Sequence, residues 1–383
     1  MMAGVRMRLL YASHAPLRSR RADAVNVMRM CEALAKEGHK VELAVPNYRR
    51  TDLRIEDLYA YYGVEPIFQI RFLPARMAVQ GTNPYALAVL QRVHQTRPDL
   101  LYTRSAKVLA LCSRLARVRL LVEIHHIPSG MDRAAWRILT RIAGQERLAR
   151  VVVINRALAE AVSREYGFPA ELVAVVPSAA PDPARVKPAA IAGDKGFPVG
   201  YAGAFRPGHG IDLIFELARR LPDMQFYLWG GTKEELATFA ERKPENVKLY
   251  GWVPPAAIPS YLAAMEVLLA PYQRRVTTEG GTDIARWISP TKLFDYMAVG
   301  RAVVASDLPS VREVLCHGKT GLLCDPDSVD EWCLALQSLR AHAELRNRLG
   351  ANARRRFLEC YSTQIRAQRV IEGLTIDRDG RKR

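Results

Sequence analysis

Short apolar runs alternate along this chain with segments whose apolar residues recur at helical spacing. Residues 8–12 form the first run, residues 25–34 follow with helical spacing after Asp23 as the predicted N-cap, and residues 41–46 form the second run. This order of strand, helix and strand is a βαβ unit, which predicts a doubly wound parallel sheet. No G-x-G-x-x-G follows the first strand, which disfavours a dinucleotide-binding site.

The same alternation continues to the end of the chain. We predict strands at residues 67–72, 100–103, 120–124, 151–154 and 173–176 and helices at residues 83–95, 106–118, 131–145 and 157–166. Five prolines between Pro177 and Pro198 predict a linker, with a domain boundary near residue 190. The expected domains are residues 1–190, residues 191–360, and residues 361–383 as a basic tail and a helix that returns to the first domain. Residues 340–361 are predicted to form one long charged helix.

A stretch that begins at Ser289 predicts a helix followed by a buried strand. Ser289 is a suitable N-cap, Pro290 suits the first helical position, and Gly300 suits the C-terminal stop. A helix N-terminus stabilises an anion such as a diphosphate, because unpaired N–H groups converge there. Lys292 adds a charge to the first turn, and Asp295 could accept hydrogen bonds from ribose hydroxyls. The alternative is a capped structural helix that binds nothing.

Composition adds limits to this picture. The chain has 383 residues, 49% of them apolar and 25% charged, as expected for a globular protein of two domains. The sequence has no window of ~18 uninterrupted apolar residues, so no membrane-spanning helix is expected. The start lacks the apolar core of a signal peptide. The six cysteines are scattered, which argues against a zinc site or disulfide framework and favours a reducing cytoplasm.

The net charge of +17 has several possible explanations. Nucleic acid, anionic lipid and phosphorylated substrates are the partners that a basic chain suits. We expect no nucleic-acid partner, because no RNP-like, helix-turn-helix or zinc motif is present. A coding bias toward arginine is the remaining explanation.

The stretch from Ser289 to Asp307 resembles the signature of the retaining GT-B glycosyltransferases of family 4 (glycosyl transferases group 1). The resemblance covers nearly the whole chain and is strongest from Val199 to Leu323. It implies an α/β fold of the GT-B type, in which two Rossmann-like domains with parallel sheets face each other across a cleft. The nucleotide-sugar donor is then expected on the C-terminal domain and the acceptor on the N-terminal domain.

The resemblance also implies individual site residues. Catalytic roles fall to His125, with His126 as the alternative, and to Arg206, Lys292 and Glu279. Donor contacts are expected from Gly203, Arg206, His209, Trp252, Val253, Ser289, Pro290, Lys292, Leu293 and Asp295. Asp295 matches the ribose-binding glutamate of the family, and Trp252 and Val253 match its base-contacting segment.

This sequence departs from the family at the sugar and phosphate positions. Trp287 replaces a glutamate that the family usually places near the donor sugar, and Glu279 and Asp283 are the acidic candidates for its role. Ala204 and His209 occupy the positions of the arginine and lysine that usually clamp the diphosphate. Arg206 is a possible substitute for that arginine.

Charged residues outside these motifs give weaker indications. Arg18, Arg20 and Arg21 lie in the first loop, where they would contact an anionic acceptor or headgroup or simply be solvated. Arg104 ends a strand and is a candidate substrate contact. The D-x-D triplets at residues 325–327 and 377–379 lie in a helix-entry turn and in the tail, so we expect no metal site.

The expected function is transfer of a sugar from a nucleotide-diphosphate sugar to a saccharide or lipid-linked acceptor, with retention, in surface polysaccharide or glycoconjugate biosynthesis. No cofactor or metal is expected. The alternatives are a non-catalytic nucleotide-sugar-binding protein and a GT-B nucleotide-sugar epimerase. We expect a cytoplasmic protein with peripheral contact to the anionic inner face of the membrane.

Overall fold

The computed structural model describes residues 6–17, 19, 21–48, 57–75, 83–127, 137, 147–184, 186–191, 196–276, 283 and 285–374. The chain divides into two compact units. The N-terminal unit comprises Met1–Pro177 and Thr363–Arg383, and the C-terminal unit comprises Ser178–Ser362. Each unit has its own sheet and hydrophobic core and is therefore a domain.

Seven strands among the described residues form a parallel sheet in the N-terminal unit. They are β1 (Arg8–Ala12), β2 (Lys40–Asn47), β3 (Gln69–Pro74), β4 (Leu100–Thr103), β5 (Arg119–Ile124), β6 (Leu148–Val153) and β7 (Val173–Val175). Their spatial order is β3-β2-β1-β4-β5-β6-β7, and the neighbouring pairs are parallel. The chain runs to one side from β1 and to the other side from β4, so this sheet is doubly wound, as predicted.

Helices connect these strands. They are α1 (Ala22–Lys36), α2 (Leu58–Tyr62), α3 (Pro84–Thr96), α4 (Ala106–Leu115) and α5 (Arg156–Tyr166). The prediction that Asp23 caps α1 was wrong, because α1 already begins at Ala22 and Asp23 lies in its first turn. The Asp23 carboxylate instead pairs with Arg21 at 3.0 Å. The predicted helix over 131–145 lies outside the described residues except at residue 137.

The C-terminal unit has a six-stranded sheet among its described residues. Its strands are β8 (Phe197–Ala202), β9 (Met224–Trp229), β10 (Val247–Gly251), β11 (Val267–Ala270), β12 (Ala302–Ser306) and β13 (Leu322–Cys324). The order is β10-β9-β8-β11-β12-β13, again with parallel pairs. β11 and β12 are buried along their whole length, because helices cover both faces of the sheet.

The helices of this unit are α6 (Ile211–Arg220), α7 (Lys233–Ala240), α8 (Ile258–Ala263), α9 (Thr291–Ala298), α10 (Pro309–Arg312), α11 (Val329–Ala341) and α12 (Ala343–Cys360). Gly300 follows α9 with a φ of 68°, so the predicted glycine stop is confirmed. The long charged helix predicted over 340–361 is present as α12, but it begins at Ala343, and Arg340 and Ala341 belong to α11. His342, with φ −116° and ψ 88°, leaves the helical region and separates α11 from α12.

The chain leaves the N-terminal unit at Pro177, earlier than the boundary expected near residue 190. The proline-rich segment already belongs to the C-terminal unit, since Ala180 forms a β-bridge with Ser362 and Ala189 N–H donates to the Ser260 carbonyl at 2.9 Å. The last helix, α13 (Thr363–Ile371), packs against α1 in the N-terminal unit.

Within the residues that the structure describes, every helix is too short or too polar to cross a bilayer.

Candidate active site

The C-terminal sheet has a topological switch point between β8 and β11. These strands are neighbours, but the chain leaves them in opposite directions, which opens a crevice at their carboxyl ends where ligands bind in such sheets. Gly203 follows β8 directly. A Cβ at Gly230, where φ is +123°, would lie 1.9 Å from the Gly203 carbonyl oxygen. The backbones of these two glycines are therefore closely packed, with no room for a side chain at Gly230.

Lys292 lies at this switch point, in the first turn of α9. Its Nζ is 4.1 Å from the centroid of the Tyr201 ring and 4.4 Å from that of Tyr272. Only 7% of the residue is exposed, and Nζ has no hydrogen-bond partner in the described part of the chain. Burial holds the pKa of this amine well below its ordinary value. A desolvated amine of this kind is best satisfied by an anion.

His209 supplies a second buried nitrogen without a partner. Its Nδ1 makes no hydrogen bond within the described residues. Burial, followed by the charges of Lys292 and Arg206, lowers the pKa of His209 to about 3. The ring is therefore neutral near pH 7 and can donate one N–H. Lys292 and His209 both lie close to Tyr272, with the His209 ring centroid 5.9 Å from that of Tyr272.

The start of α9 differs from the prediction. Pro290, not Ser289, occupies the N-cap, and the Ser289 hydroxyl oxygen accepts a hydrogen bond from the Ser178 backbone N–H at 3.3 Å. The predicted side-chain cap was therefore wrong, because Ser289 is used to hold the chain that enters this unit. Leu293 is fully buried in the core, and its backbone N–H donates to the Pro290 carbonyl at 2.8 Å. Asp295 is half-buried one turn after Lys292.

Arg206, Trp252 and Val253 are the remaining predicted donor contacts. Arg206 lines a cavity of about 320 Å³ together with Gly208, Gly210 and Gln273, and Lys292 is not among its described lining residues. Trp252 and Val253 follow the carboxyl end of β10 and are half-buried.

Glu279 and Asp283 are the two acidic residues predicted to lie near the donor sugar, and the structure describes only Asp283. Glu279 lies outside the described residues. Asp283 Oδ1 accepts hydrogen bonds from the backbone N–H groups of Val276 at 3.2 Å and Ala285 at 3.0 Å. These hydrogen bonds lower the pKa of Asp283. Trp287, at the position of the missing glutamate, lies 4.9 Å from the guanidinium of Arg286.

The switch point of the N-terminal sheet lies between β1 and β4 and carries a buried polar network. The rings of Tyr11 and Tyr102 stack there with centroids 4.2 Å apart. Glu123 is only 3% exposed and accepts hydrogen bonds from the Tyr102 hydroxyl, from His125 Nε2 and, at 2.8 Å, from Arg366 of α13.

The charges and hydrogen bonds of this network set the protonation states of Glu123 and His125. Burial opposes the charge on Glu123, but Arg366 and His125 outweigh it and hold the pKa of the carboxyl well below its ordinary value. Burial, with the charge of Arg104, lowers the pKa of His125 to about 4. His125 is therefore neutral near pH 7. His126 is exposed, which favours His125 of the two candidates.

Sequence reasoning missed Glu123, Tyr102 and Arg366. The available signal was a glutamate near the end of a largely apolar strand, two residues before a histidine. Of the three first-loop arginines, Arg18 and Arg20 lie outside the described residues, and Arg21 pairs with Asp23.

The first D-x-D triplet is occupied by a cation of the protein itself. Arg274 contacts Asp325 at 2.8 Å and Asp327 at 2.5 Å. The second triplet lies outside the described residues.

Comparisons with known proteins agree with this architecture. Residues 24–181 match the family model described as Glycosyltransferase Family 4, and residues 197–342 match that described as Glycosyl transferases group 1. The structure of Anabaena HepE in complex with UDP aligns with a TM-score of 0.69 at 16% identity, over 96% of this chain and 99% of that one. This chain belongs to the GT-B glycosyltransferases. The expected pair of Rossmann-like domains is confirmed.

Other solved structures share the fold of this glycosyltransferase. Sucrose-phosphate synthase from Thermosynechococcus elongatus aligns with a TM-score of 0.71 at 17% identity, over 94% of this chain and 96% of that one.

Curated relatives match a shorter segment of this glycosyltransferase. TuaH of Bacillus subtilis (strain 168), named for teichuronic acid biosynthesis, is 27% identical over 125 residues, which are 32% of this chain and 30% of TuaH. The phosphatidyl-myo-inositol mannosyltransferase of Mycobacterium tuberculosis (strain ATCC 25618 / H37Rv) is 32% identical over 127 residues, 33% of this chain and 31% of that protein. The chain thus matches less than a third of the length of these two relatives.

Proposed function

We propose that this glycosyltransferase moves a sugar from a nucleoside diphosphate sugar to a saccharide or lipid-linked acceptor, with retention at the anomeric carbon. The observation that carries the proposal is the pair of buried, unpartnered nitrogens of Lys292 and His209 at the switch point of the C-terminal sheet. Phosphate oxygens accept hydrogen bonds from such nitrogens. Their negative charge would also stabilise the protonated form of the buried amine.

The residues around this pair have distinct proposed roles. Lys292, Arg206 and the N-terminal end of α9 stabilise the leaving diphosphate without a metal ion. Gly203 allows the diphosphate to approach the backbone closely. The Asp295 carboxylate accepts hydrogen bonds from the ribose hydroxyls, and the backbone of Trp252 and Val253 contacts the base.

At the reacting carbon, the bond to the diphosphate oxygen breaks and the bond to the acceptor oxygen forms on the same face of the sugar. The acceptor hydroxyl proton leaves with the diphosphate. His125 orients a sugar hydroxyl, and Glu279 or Asp283 takes the place of the glutamate missing at Trp287.

Relatives suggest which ligands to test first. HepE has been solved with UDP and with UDP-glucose, which makes UDP the first nucleotide to examine. The mannosyltransferase relative is named for phosphatidyl-myo-inositol, and TuaH for teichuronic acid. An anionic lipid-linked or polymeric acceptor, used in surface polysaccharide or glycoconjugate biosynthesis, is therefore our proposed acceptor class.

Thermal unfolding with UDP, GDP and ADP tests the donor site. A nucleoside diphosphate at about 100 times its dissociation constant should stabilise the protein by ~2.7 kcal/mol. Release of sugar from the matching sugar nucleotide then tests catalysis. Absence of stabilisation by all three nucleotides would contradict the proposal.

Trp287 favours one alternative, a non-catalytic binding protein, because it removes a carboxylate from the sugar end. Nucleotide binding without any hydrolysis or transfer would support that alternative. An epimerase would instead release a changed sugar, which product analysis identifies.

We also propose a cytoplasmic protein that contacts the anionic face of the membrane peripherally. The net charge of +17 supports this placement. Co-sedimentation with vesicles that contain anionic lipid should decrease steeply between low and physiological salt, because surface charges are screened. Binding that does not respond to salt would contradict this part of the proposal.

A further inference from the structure

Arg366 joins the last helix of the chain to the strand end that carries His125. It lies in α13, is 8% exposed, and donates from one terminal nitrogen to Glu123 Oε1 at 2.8 Å. The other terminal nitrogen lies 3.2 Å from Met30 Sδ, and Nε donates to the Pro177 carbonyl at 2.9 Å. Each guanidinium nitrogen thus has a contact within the N-terminal unit.

The oxygen that accepts from Arg366 also contacts His125. Glu123 Oε1 faces both Arg366 and His125 Nε2, while Oε2 accepts from the Tyr102 hydroxyl. An ionised carboxylate can only accept hydrogen bonds, so the hydrogen of the neutral imidazole lies on Nε2. Nδ1 is then the nitrogen that can accept a hydrogen bond or a proton from a sugar hydroxyl.

We propose that Arg366 is a positioning residue for His125, because it fixes the orientation and tautomer of the imidazole through Glu123. This inference rests on the proposed function of His125. Without Arg366, Glu123 would be a buried carboxylate whose remaining partners are Tyr102 and His125. It would then draw a proton onto the imidazole and produce the cation, which has no acceptor nitrogen.

The charged and titratable groups that act on His125 come from three elements. Glu123 on β5 favours the imidazolium, whereas Arg104 after β4 and Arg366 on α13 disfavour it. Tyr102 and Tyr11 act on the network through Glu123. Removal of Arg366 leaves one fewer opposing cation, so the pKa of His125 must rise.

The chain offers a matched control for a purely structural role. Arg150 anchors the same helix, because it donates to the carbonyls of Arg369 at 2.8 Å and Glu372 at 2.6 Å without contacting Glu123. Arg150→Met should therefore loosen α13 and leave His125 unchanged. Arg366→Met should disturb both.

The decisive measurement is long-range ¹H–¹⁵N NMR of the histidine side chains in the full-length protein, with the His125 signals identified from His125→Gln. We expect the Nε2–H tautomer in the wild type and in Arg150→Met from pH 5.5 to 8. In Arg366→Met we expect imidazolium signals to appear within that range. An unchanged tautomer in Arg366→Met would overturn the inference.

Kinetics give a second readout. The acid limb of the pH profile of kcat/KM should move upward by at least about one pH unit in Arg366→Met, because the acceptor form of His125 is lost at higher pH. We expect kcat to fall about tenfold or more, against the ~10⁴-fold cost of losing an orienting carboxylate in a serine protease. Equal changes in Arg150→Met would indicate a structural role only.

A second variant covers the case in which Arg366→Met does not fold. In Glu123→Gln, the amide can accept from or donate to Nε2, so a mixture of tautomers is expected, and a pure Nε2–H form would overturn the inference. The NMR result needs no substrate. The predicted signals without any sugar transfer would therefore contradict the proposed function and leave the role of Arg366 in positioning the imidazole intact.

Discussion

At the scale of single residues, the central feature is that Lys292 is a buried amine between two tyrosine rings, with no hydrogen-bond partner among the residues that the structure describes. Its neighbour His209 is half-buried with a buried Nδ1, and the charges that act on His209 come from Lys292 and Arg206. Such groups cost stability in the protein without ligand and become favourable once an anion arrives. Function and stability should therefore respond in opposite directions to the removal of this amine.

Lys292→Ala should lower kcat by about 10²-fold or more with little change in KM, because the amine acts mainly on the departing phosphate. Steady-state kinetics with the preferred sugar nucleotide measure this effect. Lys319→Ala is the matched control, since Lys319 is exposed in the same unit. Turnover close to that of the wild type would remove Lys292 from the mechanism.

Lys292→Met should raise the free energy of unfolding at pH 7 by about 1–3 kcal/mol, because it removes an unsatisfied buried polar group. The pKa of Lys292 is depressed by burial, so the unfolded chain binds a proton that the folded chain holds weakly. The penalty in the wild type therefore shrinks as the pH rises toward the unfolded value of ~10.4. Denaturant titrations at pH 7 and 10 should show a smaller gain at pH 10, and a loss of stability at pH 7 would contradict this account.

At the scale of elements, strands and helices were predictable where apolar periodicity alone determines them. β4 lies at the predicted residues, and β11 and β12 are fully buried as apolar runs require. Helix starts were less predictable. Ser289 and Asp23 have the chemistry of caps, but Ser289 is taken by the backbone of Ser178 and Asp23 by Arg21. Partners distant in sequence or competing side chains thus override local capping preferences.

The contact between the turns after β8 and β9 permits a sharp test. Gly230→Ala should destabilise the protein by more than Gly318→Ala. Both glycines have positive φ, which alone costs about 1–2 kcal/mol for alanine. A Cβ at Gly318 meets nothing within 4 Å, whereas one at Gly230 would meet the Gly203 carbonyl oxygen at 1.9 Å. Chemical denaturation of both variants measures the difference, and equal losses would show that the turn can relax without cost.

At the scale of the whole molecule, the division into two doubly wound units followed from the order of apolar runs and the proline-rich segment. The Glu123–Arg366 pair could not be predicted from the sequence pattern. Its partners lie 243 residues apart, and they meet because α13 returns to the N-terminal unit. The exact boundary was also beyond the sequence pattern, since the β-bridge between Ala180 and Ser362 assigns the proline-rich segment to the C-terminal unit.

The most direct test of the central claim is calorimetric titration of the wild type and of Lys292→Ala with UDP, GDP and ADP. The free diphosphate resembles the leaving group that Lys292 is proposed to hold. We predict that the wild type binds at least one of these nucleotides with net proton uptake, because the anion restores the proton affinity of Lys292 and His209, and that Lys292→Ala binds it at least about tenfold more weakly. Equal affinity in the two proteins, or no binding of any of the three nucleotides to the wild type, would contradict the account.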